Sequence, residues 1–530
     1  MNTKIKYFYC LFILAALLSS TACTGDLNDS PEGSTTLSAD NVFGANLDGY
    51  LQGLAQVYGG LGVSGPNGAG SSNIQDIDSG FGQYIRALFM MQEVPTDEAI
   101  LGWNDAGVAD LVTGQFSSNN VFINAMYQRI MNQVAVCNSY LRQTTDDLLT
   151  SRGVSTEDQA KIRTYRAEVR LIRALCYFHG MDIFGNMSFV TESDPVSASF
   201  QPPQISRADL FKYIETEAIA SIDNLSAPKT AGYGHADQAA AWMLLATVYL
   251  NAKTYTGTER YADCLNYASK VINSSYIIAP ISYRYLFYAD NNTNGAQNEN
   301  ILVAESDGTN QQSYGNTTFI IHAATGGSMS ASGRGIDGGW AGLRARPEFI
   351  DLTTTPSGSD SRRLFYTVGQ TKPIAQISQF TNGYAVTKFS NIVSTTGLQG
   401  KNATFTDTDF PIFRTADAYL MYAEAQLRGG GGSATSSLNY VNALRTRAGA
   451  SALTSLDLNV IFNERSRELY WECHRRTDLI RFGKYSGSTY NWSWKNNVQL
   501  GAALPATAEL MPIPYNVMVS NQNLSQNPGY

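Results

Sequence analysis

Glu464-Arg465-Ser466-Arg467-Glu468-Leu469-Tyr470-Trp471-Glu472-Cys473-His474-Arg475-Arg476-Thr477-Asp478-Leu479-Ile480-Arg481-Phe482-Gly483 interleaves acid and base along one continuous stretch. Glu464, Glu468 and Glu472 recur at spacing four, with Arg465, Arg467, Arg475 and Arg476 set between and after them. Side chains four apart share a helix face, so the spacing predicts a helix over 457–476 whose acids are paired with arginines. Two carboxyl groups so placed also meet the roughly 5–10 Å separation that glycoside hydrolysis requires. A general acid needs a raised pKa, however, and arginines at this density hold the carboxylates ionised. The run therefore reads as structural ion pairing, and no catalytic residue is assigned.

Two further segments extend the pattern. Upstream stands Pro411-Ile412-Phe413-Arg414-Thr415-Ala416-Asp417-Ala418-Tyr419-Leu420-Met421-Tyr422-Ala423-Glu424-Ala425, and the chain closes on Met511-Pro512-Ile513-Pro514 leading to Gln526-Asn527-Pro528-Gly529-Tyr530. With Arg173-Ala174-Leu175-Cys176-Tyr177 through Phe184-Gly185, these segments resemble, in order, signature segments of the SusD/RagB family of outer-membrane nutrient-binding lipoproteins. The resemblance implies a mainly α fold, a tetratricopeptide-like helical-pair scaffold with large loop-rich, sparsely β insertions. It also implies capture of a nutrient without catalysis, and a partner, a SusC-like TonB-dependent outer-membrane transporter that receives the ligand.

The N-terminus reads as a lipoprotein leader. Lys4 and Lys6 precede twelve apolar or aromatic residues, Tyr7 to Leu18, and Ser20-Thr21-Ala22 places small residues before Cys23. Twelve residues make roughly 18 Å of helix, too short for a bilayer core of about 30 Å. Residues 1–22 are thus expected to be a signal peptide, Cys23 the lipidated first residue of the mature chain, and 23–40 a tether. That places the protein at the outer membrane, lipid-anchored and surface-exposed. The remainder divides into an N-terminal helical region over 41–275, with a loop-rich binding segment, and a C-terminal region over 276–530.

Composition limits the partners. Loss of Lys4 and Lys6 with the leader takes the net charge from −8 to −10, which disfavours nucleic acid and anionic lipid. Only 15% of residues are charged while 30 are tyrosine, a balance suited to neutral, hydroxyl-rich ligands. Cys137, Cys176, Cys264 and Cys473 are widely spaced among apolar residues and read as buried thiols. The four histidines show no metal-ligand spacing, so no metal or cofactor is assigned; oxygen ligands in the 97–110 loops leave calcium open. Gly333-Arg334-Gly335-Ile336-Asp337-Gly338 follows a Gly/Ser run rather than a strand and is not a dinucleotide loop.

Helical period and capping pairs such as Ser155…Asp158 and Ser206…Asp209 place helices near 41–58, 119–144, 156–180, 207–223, 236–253, 258–273, 414–428, 434–448 and 457–476. Arg163, Arg166, Arg170 and Arg173 form a stripe on one of them, expected to pair with Glu168, Glu215 or Glu217. Residues 59–118 and 274–410 are Gly-, Asn-, Ser- and Thr-rich and lack sustained helical period, with short β-like runs such as Ile301–Ala304. Irregular stretches of that length are commonly binding loops.

Sugars offer C–H faces to aromatic rings and hydroxyls to amides, carboxylates and guanidinium groups, so a glycan site needs both kinds of side chain together. The candidates are Trp103, Asn104 and Asp105; Phe116 and Asn119; Tyr288 and Tyr314; and Trp340 with Arg344. Phe116-Ser117-Ser118-Asn119 resembles an aromatic-Ser-Ser-Asn turn of starch-binding relatives, with phenylalanine standing where they carry tryptophan. Trp103 and Trp340 are expected to share one concave site with the 280–315 tyrosines. An oligosaccharide is the favoured ligand, a peptide as in the RagB branch the alternative, and a surface glycoside hydrolase a distant third.

Overall fold

A computed structural model describes residues 39–354 and 359–530. The expected leader over 1–22, Cys23 and the tether up to residue 38 lie outside the described residues. Helix dominates, and successive helices pack in sequence: Val121–Gln143 on Thr156–Phe184, that on Arg207–Ser221, then Gln238–Leu250 and Tyr261–Ile272. The next partner of Tyr261–Ile272 is Thr415–Leu427, itself packed on Ala434–Arg447. The helical array therefore continues across a break of more than a hundred residues, and that intervening segment forms the largest loop-rich insertion.

Local chemistry explains the boundaries. Ser155 accepts from Asp158 N at 3.1 Å and Ser206 from Asp209 N at 3.1 Å, caps that stabilise each helix start by about 1 kcal/mol. Between Thr415–Leu427 and Ala434–Arg447, Gly429, Gly431 and Gly432 all adopt positive φ, while a side chain at Gly430 would meet the Tyr261 carbonyl at 2.6 Å. Strand is confined to four short antiparallel pairs among the described residues, including Asn300–Ala304 with Phe410–Arg414.

The expected 457–476 helix is corrected. It stops at Leu469, and Trp471 and Cys473 take positive φ before a second helix, Arg475–Arg481, begins. Tertiary contacts impose the break: Trp471 is fully buried with Nε1 on the Glu98 carbonyl at 3.3 Å, and Cys473 N donates to Glu93 at 2.6 Å. Helices missing from the sequence reading include Tyr84–Gln92, in the expected 59–118 loop, and Asn316–Ala323 and Pro347–Thr354, in the 274–410 stretch.

The charged runs are structural. Glu464 contacts Arg362 at 2.7 Å and Arg445 at 2.8 Å; Glu468 contacts Arg414 at 2.8 Å and also Arg447; Glu472 contacts Lys388 and Arg414, each at 2.6 Å. All three acids are buried, and Glu472 borders only a small cavity of about 40 Å³. The arginine stripe pairs only in part as expected: Arg170 and Arg173 take Glu217, but Asp146 serves Arg163 and Arg166, and Glu192 adds to Arg173. Glu168 and Glu215 have other partners, His235 and Arg260.

Under this network lies a strained acid. Burial pushes the Glu98 carboxyl up to about 7, against the opposing pull of Arg475, and burial likewise raises Glu93 beside it. A carboxyl raised above its unfolded value, about 4.3, contributes stability that is complete below that value and lost as pH climbs toward 7. Glu98→Gln keeps an acceptor for the Ser466 hydroxyl and removes this loss. The variant is expected to raise the melting temperature more at pH 8 than at pH 5; a gain that is equal at both, or larger at pH 5, would count against the reading.

Candidate functional site

The site is assembled by a very short strand pairing. Ile100–Leu101 runs antiparallel to Leu343–Arg344, and Gly102 N extends the ladder to the Gly342 carbonyl at 3.0 Å. This register sets Trp103 beside Trp340, ring centroids 6.3 Å apart and inclined by 50°, with Trp103 Nε1 donating to the Trp340 carbonyl at 2.9 Å. Any Cβ at Gly342 would lie 2.5 Å from the Trp103 indole, so the bare backbone there is what lets the ring lie down.

The Asn316–Ala323 helix supports both rings. Phe319 meets Trp103 edge-on at 6.0 Å, and His322 stacks on Trp340 at 4.7 Å. Trp340 N donates to the His322 carbonyl at 2.7 Å and Gly342 N to that of Ala323 at 2.7 Å, fixing the 338–342 turn on the helix end. Tyr314 precedes the same helix, its ring 6.4 Å from Trp340 and 5.1 Å from Phe405. Trp103, Trp340 and Tyr314 are each partly exposed, so a continuous aromatic face is held rigidly at the surface.

Arg86 stands at the centre of this face. Its guanidinium lies 4.4 Å from the Phe319 ring and 5.8 and 5.9 Å from those of Trp103 and Trp340. It donates to the carbonyls of Gly80 and Tyr314, its Nε has no partner, and no carboxylate pairs with it among the described residues. Burial lowers its pKa to about 9, opposed by Asp105 and Asp78, so it remains charged at neutral pH. Arg86 is itself buried and its Nε is closed to solvent, which leaves Nη2, without a partner among the described residues, as the group placed to donate to hydroxyl oxygens lying across those rings.

Other candidates fall differently. Asn104 and Asp105 are exposed on the loop that carries Trp103. Asn119 is exposed too, one residue before Asn120, whose side chain caps the Val121–Gln143 helix. Phe116 is a correction: it is buried in the main core and offers no ring to solvent. Arg344 is a second correction, since it is fully buried with Nε on the Asn382 carbonyl at 2.9 Å and Nη1 on that of Gly342 at 2.7 Å. Its donors tie the Leu343–Arg344 strand to the Asn382 and Ile377 carbonyls and cannot reach a ligand. Of the expected tyrosines only Tyr314 joins the indoles; Tyr283 is buried, and Tyr288 pairs with Tyr285 at 5.3 Å.

No cluster of three or more His, Cys, Asp or Glu that could hold a metal occurs among the described residues. In the 97–110 stretch considered for calcium, Asp97 is bound to Arg475 at 2.6 Å and Asp110 lies 3.2 Å from the Asn120 amide. The four cysteines are free, and burial pushes the Cys137 thiol up to about 12.

A helical scaffold presenting a fixed aromatic face over one cation, with Glu464, Glu468 and Glu472 locked in buried pairs, defines a binding protein. Comparison with known proteins agrees. The SusD family profile matches residues 244–530. The starch-binding protein SusD of Bacteroides thetaiotaomicron is 32% identical over 99% of this chain and 100% of its own length. Among solved structures, surface glycan-binding protein A from Bacteroides fluxus superposes with a TM-score of 0.68 at 21% identity, covering 92% of this chain and 100% of that one. Surface glycan-binding protein A from Bacteroides thetaiotaomicron, in complex with laminarihexaose, gives 0.67 at 18%, covering 90% and 98%. The chain belongs to the SusD/RagB family, whose members are binding proteins rather than enzymes.

Proposed function

We propose that this protein captures a neutral oligosaccharide on the Trp103–Trp340–Tyr314 face, with Arg86 donating to the sugar hydroxyls. The observation that carries the reading is the pair of partly exposed indoles held over a guanidinium without a carboxylate partner. Relatives named for starch and laminarin support the ligand class. We further propose that a lipid on Cys23 anchors the chain at the outer membrane, facing outward, and that captured glycan passes to a TonB-dependent transporter of the SusC type. No helix among the described residues is long and apolar enough to cross a membrane, so attachment in this reading rests on the lipid.

Arg86→Gln tests the chemistry of the face. Loss of a charge-assisted hydrogen bond costs about 1.5–3 kcal/mol, so affinity for a bound oligosaccharide should fall roughly 10- to 150-fold in calorimetric titration. Unchanged affinity in a folded variant would remove Arg86 from the site. For anchorage, Cys23→Ala should move the protein from the membrane to the soluble fraction of fractionated cells; full retention in the membrane would refute the lipid anchor.

A further inference from the structure

A cavity of about 430 Å³ opens between the Asp48–Gly59 helix, the 230–237 loop and the 305–311 loop, apart from the aromatic face. Tyr58, Tyr233 and His235 present rings to it, Leu51 and Val303 supply apolar wall, and Glu305 and Gln311 supply polar groups. Its volume falls in the roughly 300–1,000 Å³ range of small-molecule sites.

The walls are rigid. Tyr233 donates to Asp409 at 2.9 Å, His235 Nδ1 sits 2.8 Å from Glu168, and Ala236 N donates to the Tyr58 hydroxyl at 2.8 Å, so three residues near one another in the chain are tied in three directions. Gly234, at φ +84°, lies so close to Glu305 that a Cβ would overlap the carboxylate at 1.8 Å. The opposite loop is fixed as well: Asp307 accepts from Thr309 N at 2.8 Å and Asn310 N at 2.9 Å, and the Ser313 hydroxyl donates to the Gly62 carbonyl at 2.7 Å.

Against these fixed walls, several polar groups are left over. Of the side chains lining the cavity, those of Glu305 and Gln311 have no hydrogen-bond or ion-pair partner among the described residues. With Nδ1 held by Glu168, His235 has Nε2 left to meet a ligand. A carboxylate acceptor, amides of both polarities, an imidazole and two tyrosine faces match a ring bearing alternating hydroxyls and C–H surfaces. One carboxylate beside a histidine, an asparagine and a glutamine is a poor cation site.

We propose that this cavity is a second saccharide subsite, taking about one or two pyranose rings of a neutral glycan. The inference rests on the glycan reading above and adds a place that reading does not use. An adjoining trough of about 530 Å³ shares Ala55, Gly59, Asn310 and Gln311 with the cavity and reaches Gln312, two residues before Tyr314 of the aromatic face. The 305–314 loop thus edges both places, so a long chain could engage them together.

Crystals of the full mature protein soaked with maltoheptaose or laminarihexaose, with titration of the same sugars in solution, test it. Ala55 is exposed on a helix and lines both the cavity and the trough, so Ala55→Trp fills them without touching the core. Glu305→Gln is the milder second variant. Expected are sugar rings in the cavity and on the aromatic face for at least one probe, with Ala55→Trp and Glu305→Gln each weakening binding three- to tenfold. Rings on the aromatic face alone, with both variants within twofold of wild type, overturn the subsite and leave the glycan reading intact. Rings in the cavity alone support the subsite and defeat the aromatic face, and binding of neither sugar overturns both.

Discussion

Arg414→Ala should not yield a folded protein. Arg414 is almost fully buried, with Nη1 2.8 Å from both Glu299 and Glu468, and Nε and Nη2 at 2.6 and 2.8 Å from Glu472. Three carboxylates from two distant parts of the chain converge on this one guanidinium. Burial alone would raise Glu468, but Arg447, Arg414 and Arg362 hold it well below the usual carboxylate range. Removing one partner of such a group leaves buried charge uncompensated, at a cost of about 3–5 kcal/mol for a simple pair. Total stabilities are about 5–15 kcal/mol, and here three acids are affected at once. Arg414→Lys keeps the charge but loses the two-pronged contact, and should fold with a melting temperature well below wild type. Soluble yield and thermal melting check both; an alanine variant that melts within a few degrees of wild type contradicts the account of this network.

Trp340→Ala should cost binding on the same scale as Arg86→Gln. Its indole is partly exposed, stacked on His322 and flanked by Trp103 and Tyr314, so it offers a ring face at the middle of the cluster. Losing a stacking surface of that size costs about 1–3 kcal/mol, or roughly 5- to 150-fold in affinity. The Trp103 hydrogen bond goes to the Trp340 backbone carbonyl and survives the substitution. Thermal stability should therefore change little, which separates this variant from Trp103→Ala, where the ring packed on Gly342 and Phe319 is lost. Calorimetry with an oligosaccharide that wild type binds, beside a melting curve, gives both numbers. Unchanged affinity with an unchanged melt would mean that the ligand does not stack here.

Much of the scaffold was legible from capped helix starts and from the turn residues between helices. Ser155 and Ser206 announce their helices, and four glycines after residue 428 announce the turn between two others. Alternating Glu and Arg after Glu464 was legible as ion pairing, although the positive φ of Trp471 and Cys473 was not: that break answers to Glu93 and Glu98, far away in sequence. The Tyr84–Gln92 helix escaped notice because it is nine residues long, lies in a Gly-, Ser- and Asn-rich stretch and has no side-chain N-cap to mark its start. Arg86 went unread with that helix, its one local sign being a lone arginine inside an apolar run.

Loop candidates divide along similar lines. Trp103 and Trp340 meet through two-residue strands, too short to be read from alternation, so composition could nominate both rings without supplying the pairing. Arg344 and Arg86 look equally suited to a ligand in sequence. Three-dimensional placement reverses their roles: Arg344 is enclosed by carbonyls, while Arg86 is enclosed by rings and keeps unpaired donor capacity. Phe116 and Tyr283 pack into the core, and nothing in a loop sequence tells a packing aromatic from a presented one.

The central claim is that the aromatic face with Arg86 takes neutral glycan. Its most direct test is equilibrium titration of the wild-type mature protein, by calorimetry at neutral pH, with malto- and laminari-oligosaccharides and with peptides of similar length. The account predicts saturable binding to at least one oligosaccharide series and none to the peptides. Binding confined to the peptides, or to neither class, would contradict it.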